Sequence, residues 1–233
     1  MKFEEVPGWF MPIDQAAFDW ILAHQAETEP AGALVELGVY FGKSAIAIDS
    51  HRRADEVLTV CDLFEDIATS DAAAPGEARF FAAQGQSQAE FERHFLAFRR
   101  DLPRIVRAPS TQITRHVAPA TARFVHLDAG HTQDLVRADL ASARAMLRPG
   151  GVVALEAYRK PSDLGIAAAL WEAILNDGLR PIANTDFKLY ATWGDPAPMQ
   201  GAIRRRAAAA GWCHVAGTSQ VGGTPVLYLS RKG

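Results

Sequence analysis

Two cysteines in 233 residues, Cys61 and Cys213, are too few and too far apart for a disulfide framework or a thiolate metal site. That usage is compatible with a reducing compartment, and Cys61, inside an apolar run, reads as a small core residue. No apolar run reaches the ~18 residues of a membrane span. The N-terminus carries Glu4, Glu5 and Pro7 instead of a basic, then apolar, leader, so a cytoplasmic protein is expected. Charge of one sign is also lacking. A net charge of −3 gives no electrostatic reason to expect nucleic acid or an anionic membrane as partner. There is no internal repeat, and Ala207–Ala210 is too short for a low-complexity segment. What the chain does have is apolar residue, 48% against 22% charged, enough for a full core in one soluble domain.

The informative segment is Leu34-Val-Glu-Leu-Gly-Val-Tyr-Phe-Gly-Lys-Ser44, followed by Leu58-Thr-Val-Cys-Asp62. It reads as a buried strand ending in an acid, a glycine turn, a helix start, and a second strand ending in an acid. Open α/β sheets bind adenosine-containing ligands in this way, at the carboxyl ends of their strands. Gly38 and Gly42 allow a sharp turn and a close approach to the ligand. Ser44 lies in the first turn of the following helix, where free N–H groups favour a carboxylate or phosphate. Asp62, 20 residues after Gly42, is placed to accept hydrogen bonds from ribose hydroxyls.

Two familiar nucleotide signatures are missing. Gly38-Val-Tyr-Phe-Gly42 is not the dinucleotide G-x-G-x-x-G, and a P-loop ending in Gly42-Lys43-Ser44 would need glycine where Leu37 stands. Glu36 would also repel phosphates, whereas it suits a cation. S-adenosylmethionine (SAM), with its sulfonium, ammonium and ribose, fits better. A structural turn explains any one of Glu36, Gly38, Gly42, Ser44 and Asp62; it explains the set poorly.

Glu36-Leu-Gly-Val-Tyr-Phe-Gly-Lys-Ser44, Val60-Cys-Asp-Leu-Phe64, Phe124-Val-His-Leu-Asp-Ala-Gly-His131, Leu147-Arg-Pro-Gly-Gly-Val-Val153 and Lys188-Leu-Tyr190 resemble class I SAM-dependent methyltransferases. More narrowly, they are similar to bacterial small-molecule O-methyltransferases that include macrolide-sugar enzymes. The similarity runs over about residues 6 to 193. It implies SAM as cofactor, with Tyr40 and Asp128 added to the contacts above and Asp62-Leu63-Phe64 flanking ribose and adenine. Ser110 meets the adenine edge or serves a turn; Lys43 touches the methionine carboxylate or is simply solvated. The implied reaction is methyl transfer to oxygen of a small molecule, a sugar-bearing natural product or other secondary metabolite. The alternative is a SAM-binding or S-adenosylhomocysteine-binding protein of this fold that no longer methylates.

An alcohol is a poor nucleophile near neutral pH, so a general base helps, and imidazole is the usual choice. His131, three residues after Asp128, follows the fourth strand at the mouth of the sheet. In the resembling sugar enzymes an acid and a histidine at this spacing act as metal ligand and base. Those relatives also carry a pair of acids after the fifth strand, where this chain has Glu156-Ala157. Asp128 and Glu156 can still hold Mg²⁺ or Ca²⁺ with water and substrate oxygens. Without a metal, Glu156 is left to orient a substrate group. His126 is expected to pack against a helix face, and Asp134 and Asp139 to be solvated or paired with Arg137 and Arg144.

The remaining pattern predicts a doubly wound, mostly parallel seven-stranded sheet, Rossmann-like, with helices on both faces. Strands are expected near 33–37, 57–61, 104–107, 123–127 and 151–155, then 179–183 and 187–192 on an antiparallel edge. Residues 1–193 form the SAM-binding domain. Within it, 6–30 is an arm and a helix capped by Asp14, and 65–103 is an insertion. Its first part, 65–85, reads as a lid; 86–100 is a lid or a helix covering the sheet. Residues 194–233 are a C-terminal extension packed on the same domain, and Pro225-Val-Leu-Tyr-Leu is an edge strand or a homo-oligomer interface.

Overall fold

Five short segments become five parallel strands: β1 Ala33–Leu37, β2 Leu58–Asp62, β3 Arg104–Arg107, β4 Ala122–Leu127 and β5 Leu147–Glu156. The computed structural model describes residues 1–69 and 75–232. β6 Arg180–Asn184 and β7 Lys188–Thr192 form a hairpin whose second arm runs antiparallel beside β5. The sequence places short strands around Cys213–Ala216 and Val226–Ser230 outside a seven-stranded sheet, and here the structure corrects it. β8 Cys213–Val221 and β9 Thr224–Arg231 form a second hairpin, and β9 adds in parallel to β6. Among the described residues the sheet has nine strands in the order β3-β2-β1-β4-β5-β7-β6-β9-β8.

Helices cover both faces. α1 Pro12–Thr28, α2 Lys43–Asp49, α4 Gln88–Leu96 and α7 Ala197–Ala210 pack on one, and α5 Gln133–Met146 and α6 Leu164–Asn176 on the other. α3 Pro75–Ala83 stands over the carboxyl ends of the strands. α4 buries Phe91 and Phe95 in the core, so this part of the insertion covers the sheet. The stretch 70–74 of the expected lid lies outside the described residues. No helix among the described residues is long and apolar enough to cross a membrane.

Asp14 does not cap α1. The helix starts at Pro12, and Asp14 sits one turn inside, fully buried, accepting from Thr185 Oγ1 and Tyr190 OH at 2.8 Å each. It joins α1 to β7. Asp139 is likewise buried instead of solvated, because its place on α5 faces the sheet. Ser110 hydrogen-bonds it, and burial pushes its carboxyl up to about 6 against that bond. Asp134 pairs with Arg137 at 2.9 Å.

At the opposite end of the sheet Arg123, fully buried on β4, grips Glu56 with two donors, Nε at 2.7 Å and Nη2 at 2.9 Å. Burial alone would raise the Glu56 carboxyl; hydrogen bonds from Arg123, Arg53 and the Gly32 N–H overcome it and hold it at about 2. A depressed folded-state value means stability present above the unfolded value and lost as pH falls through the folded one. Urea midpoints are therefore expected to drop between pH 4.5 and 2, and Glu56→Gln to flatten that part of the curve. A wild-type profile that Glu56→Gln leaves unchanged would remove this pair as the acid-sensitive lock.

Candidate active site

The carboxyl ends of β1, β2, β4 and β5 open into one cleft of about 940 Å³. Gly38, Tyr40, Ser44, Asp62, Leu63 and Ser110 line one part of it; Asp128, His131 and Glu156 line another. The turn after β1 is closely built. Gly38 takes φ +79° and Gly42 +90°, while Tyr40 itself is held at +50°, a left-handed conformation that costs a side chain about 1–2 kcal/mol. Such strain persists where surroundings over-determine it. The Tyr40 ring is indeed stacked by Trp9, at 5.3 Å between centroids and 29° between planes, and edged by Phe81. Trp9 comes from the arm before α1 and Phe81 from α3, so both segments form an aromatic wall of the cleft. Phe10, the next residue in the arm, turns into the core against Phe18.

Asp62 is the organiser of this turn. Its Oδ2 accepts from the backbone N–H groups of Val39 (2.7 Å) and Tyr40 (3.2 Å), and its Oδ1 from those of Phe64 (2.6 Å) and the side chain of Gln86 (2.9 Å). Four donors take up a carboxylate's usual capacity. Ribose hydroxyls can reach Asp62 only by displacing one of them, and Gln86, outside any helix or strand, is the one not fixed by the turn. Burial raises the Asp62 carboxyl, with those backbone bonds pulling it back.

Three residues expected to touch the cofactor lie behind the wall. Phe64, at φ +50°, is fully buried against Phe91. Gly42 faces the Phe91 ring, 2.9 Å from where a Cβ would stand, so it admits α4 instead of a ligand. Glu36 is fully buried as well. It accepts from Ser44 Oγ and meets His126 Nδ1 at 2.7 Å. Desolvation pushes its carboxyl up to about 8, against the Ser44 bond, and its Oε2 has no hydrogen-bond partner among the described residues.

His126 does pack edge-on against Phe18 of α1, at 5.1 Å, yet it is also a link in a polar row. Parallel pairing of β1 with β4 sets Glu36 opposite His126, and antiparallel pairing of β5 with β7 sets Glu156 opposite Lys188. Lys188 Nζ lies 3.1 Å from His126 Nε2 and forms an ion pair with Glu156. Burial drives His126 well below its ordinary value, with the Lys188 charge adding to it, so the ring is neutral: Nδ1–H donates to Glu36 and Nε2 accepts from Lys188. Sequence reading missed this row. Its only signal was a lysine opening an otherwise apolar strand.

Asp128 leaves β4 with its N–H bonded to the Leu37 carbonyl at 2.8 Å. Desolvation raises its carboxyl, and the neighbouring Lys188, His131 and Lys160 pull it partly back. Half-buried His131 lines the same cleft as the Gly38–Ser44 turn. Ala157 follows Glu156 at φ +57°.

Residues 35–158, more than half of the chain, match the family described as methyltransferase domain. The chain belongs to that family. With its doubly wound sheet, it is a class I, SAM-dependent methyltransferase. No curated protein matches the sequence. Among solved structures, the O-methyltransferase NovP is 16% identical at a TM-score of 0.62, covering 78% of this chain and 81% of its own. CalS11, a TDP-rhamnose 3′-O-methyltransferase of calicheamicin biosynthesis, is 19% identical at 0.53, with 80% and 82% covered. An O-methyltransferase from Bacillus cereus in complex with S-adenosylhomocysteine (SAH) is 14% identical at 0.52, with 81% and 85% covered. At these identities the likeness is one of fold.

The methyltransferase's own residues fit SAM. The cleft is large, apolar on the Tyr40 side and acidic at its base. They do not fit the dication suggested by Asp128 and Glu156. His126, Asp128 and Glu156 do bring ligand atoms within 4.8 Å of one another, but the Lys188 ammonium already contacts two of the three.

Asp62→Ala would leave three backbone N–H groups of the turn without their acceptor. Each buried orphan costs about 1–3 kcal/mol, so this variant is expected to lose thermal stability as well as SAM affinity. Calorimetry and thermal melts check both. A variant that loses affinity with an unchanged melting point would restore Asp62 to a pure ribose acceptor.

Proposed function

We propose that the methyltransferase moves the methyl group of SAM to a hydroxyl oxygen of a small molecule, with His131 as general base and Asp128 beside it. The acceptor class that fits best is a sugar-bearing natural product or another secondary metabolite. The observation that carries this reading is the position of His131: it follows β4 at the wall shared by the Tyr40 turn and the Asp128–Glu156 end of the cleft. SAM supplies the electrophilic methyl group. A proton leaving the acceptor hydroxyl passes to the imidazole as the new O–CH₃ bond forms, and the sulfur keeps the electron pair of the broken S–CH₃ bond. Trp9, Tyr40 and Phe80 offer the flat apolar surface that a sugar ring or a fused aglycone packs against. Structural likeness to NovP and CalS11 supports oxygen as the acceptor atom and, through CalS11, a nucleotide-linked deoxysugar as the first compound to try.

Titration of the purified protein with SAM, SAH, ATP and NAD tests the cofactor. Incubation with labelled SAM and a panel of nucleotide sugars and glycosylated metabolites, with mass-spectrometric location of the methyl group, tests the reaction. Binding of ATP alone would remove the reading. Tight SAH binding without transfer to any hydroxyl compound would favour the alternative, a binding protein of this fold.

A further inference from the structure

We propose that Lys188 is the resident cation of the acceptor site: a positioning residue whose ammonium replaces a divalent metal among His126, Asp128 and Glu156. This rests on the methyl-transfer reading for its purpose, but its evidence is independent of it. Sheet register alone forces the encounter, because the reversal at β6–β7 sets Lys188 directly across from Glu156 at the carboxyl end of β5. The stem is buried, with Lys188 only 1% exposed, so the ammonium has nowhere else to go. It forms the ion pair with Glu156 and lies 3.1 Å from the lone pair of neutral His126. The rings of Phe10 and Phe18 stand 5.7 and 5.9 Å away, close enough for their faces to favour a cation.

Burial pulls the Lys188 ammonium down, and the charges of Asp128, Asp14 and Glu36 hold part of it back up. Lys188 in turn lowers the Asp128 carboxyl. Three ligand atoms within 4.8 Å of one another would otherwise be a credible start of a dication site. A dication entering beside Lys188 would meet twice the repulsion that two single charges feel at that distance. The position after Glu156 is an alanine, so nothing on that side adds a carboxylate to overcome it. Alanine there is not forced by the backbone: φ +57° is a conformation in which Asp and Asn are the side chains most often found. Lys188 holds Glu156 in an ion pair beside Asp128 at the cleft wall, where the two carboxyl groups accept hydrogen bonds from acceptor hydroxyls without any metal.

Manganese is the probe, because its binding is read by calorimetry and by paramagnetic resonance with no acceptor or turnover needed. The wild type, with and without SAH, is expected to bind no Mn²⁺ specifically. Lys188→Met, checked for folding by circular dichroism and for SAH binding, is expected to gain Mn²⁺ affinity by at least about 10-fold, as changes around a metal site commonly do. Ala157→Asp keeps Lys188 and adds a carboxylate; it is expected to gain nothing, whereas Ala157→Asp/Lys188→Met binds most tightly. Specific Mn²⁺ binding by the wild type or by Ala157→Asp alone overturns the proposal, and so does a folded Lys188→Met with no gain. Ala157→Asp keeps the test decisive if Lys188→Met does not fold. If the methyl-transfer reading fails instead, transfer is absent while the manganese results stand.

Discussion

Gly38→Val is expected to abolish SAM binding and to cost the fold about 2–5 kcal/mol, the sum of a left-handed backbone and an overpacked contact. The collision is not the one a ligand-centred view suggests. A Cβ at Gly38 would stand 2.8 Å from Ala129 Cα and closer still to the Asp128 carbonyl group. The β1 turn and the β4 exit thus touch through a missing side chain. Pushing them apart also stretches the bonds that Gly38 N–H makes to the Cys61 carbonyl (2.8 Å) and that Asp128 N–H makes to Leu37 (2.8 Å). One substitution therefore displaces the cofactor turn, Asp62 and Asp128 together. Urea denaturation and SAM calorimetry measure the two effects. Wild-type stability with wild-type affinity would mean that the two exits are not in contact in solution.

The parallel half of the sheet was legible because β1, β2 and β4 are short runs buried on both faces, with punctuation at their ends. β4, Ala122–Leu127, is buried at every position although it contains Arg123 and His126. Those two polar residues do not break the strand because each finds a partner in the interior, Glu56 for one and Glu36 with Lys188 for the other. The last hairpin was harder. Most of β8 is exposed and polar, through Gly217, Thr218, Ser219 and Gln220, so its nine residues carry little apolar alternation. It is a strand because β9 pairs with it and with β6.

At the site, local motifs located the cleft and mis-assigned part of its surface. Glu36, Gly42 and Phe64 belong to a recognisable cofactor pattern, but whether a side chain enters the cleft or holds the wall from behind depends on tertiary neighbours. Phe91 of α4 decides this for both Gly42 and Phe64. The polar row was invisible for a stronger reason. Glu36, His126 and Lys188 are separated by 90 and 62 residues along the chain and meet only through strand order and register. The missing acid at Ala157 could be read from sequence; the cation that compensates for it could not.

His131→Ala is expected to leave SAM affinity nearly intact and to slow methyl transfer by about 10²–10⁴-fold, the usual contribution of a general base. Affinity should survive if SAM is held, as proposed, by the turn built from Gly38, Tyr40 and Asp62, since the hydrogen bonds of that turn do not involve the imidazole. The acceptor proton loses its destination, since neither nearby group is an equal substitute. Glu156 is held by Lys188, and the Lys188 charge beside Asp128 lowers its carboxyl and weakens it as a base. Added imidazole should restore part of the loss in His131→Ala. Single-turnover transfer at neutral pH, with and without imidazole, reads both predictions. An unchanged rate at neutral pH would assign His131 to the wall of the cleft and leave an acceptor acidic enough to lose its proton to water.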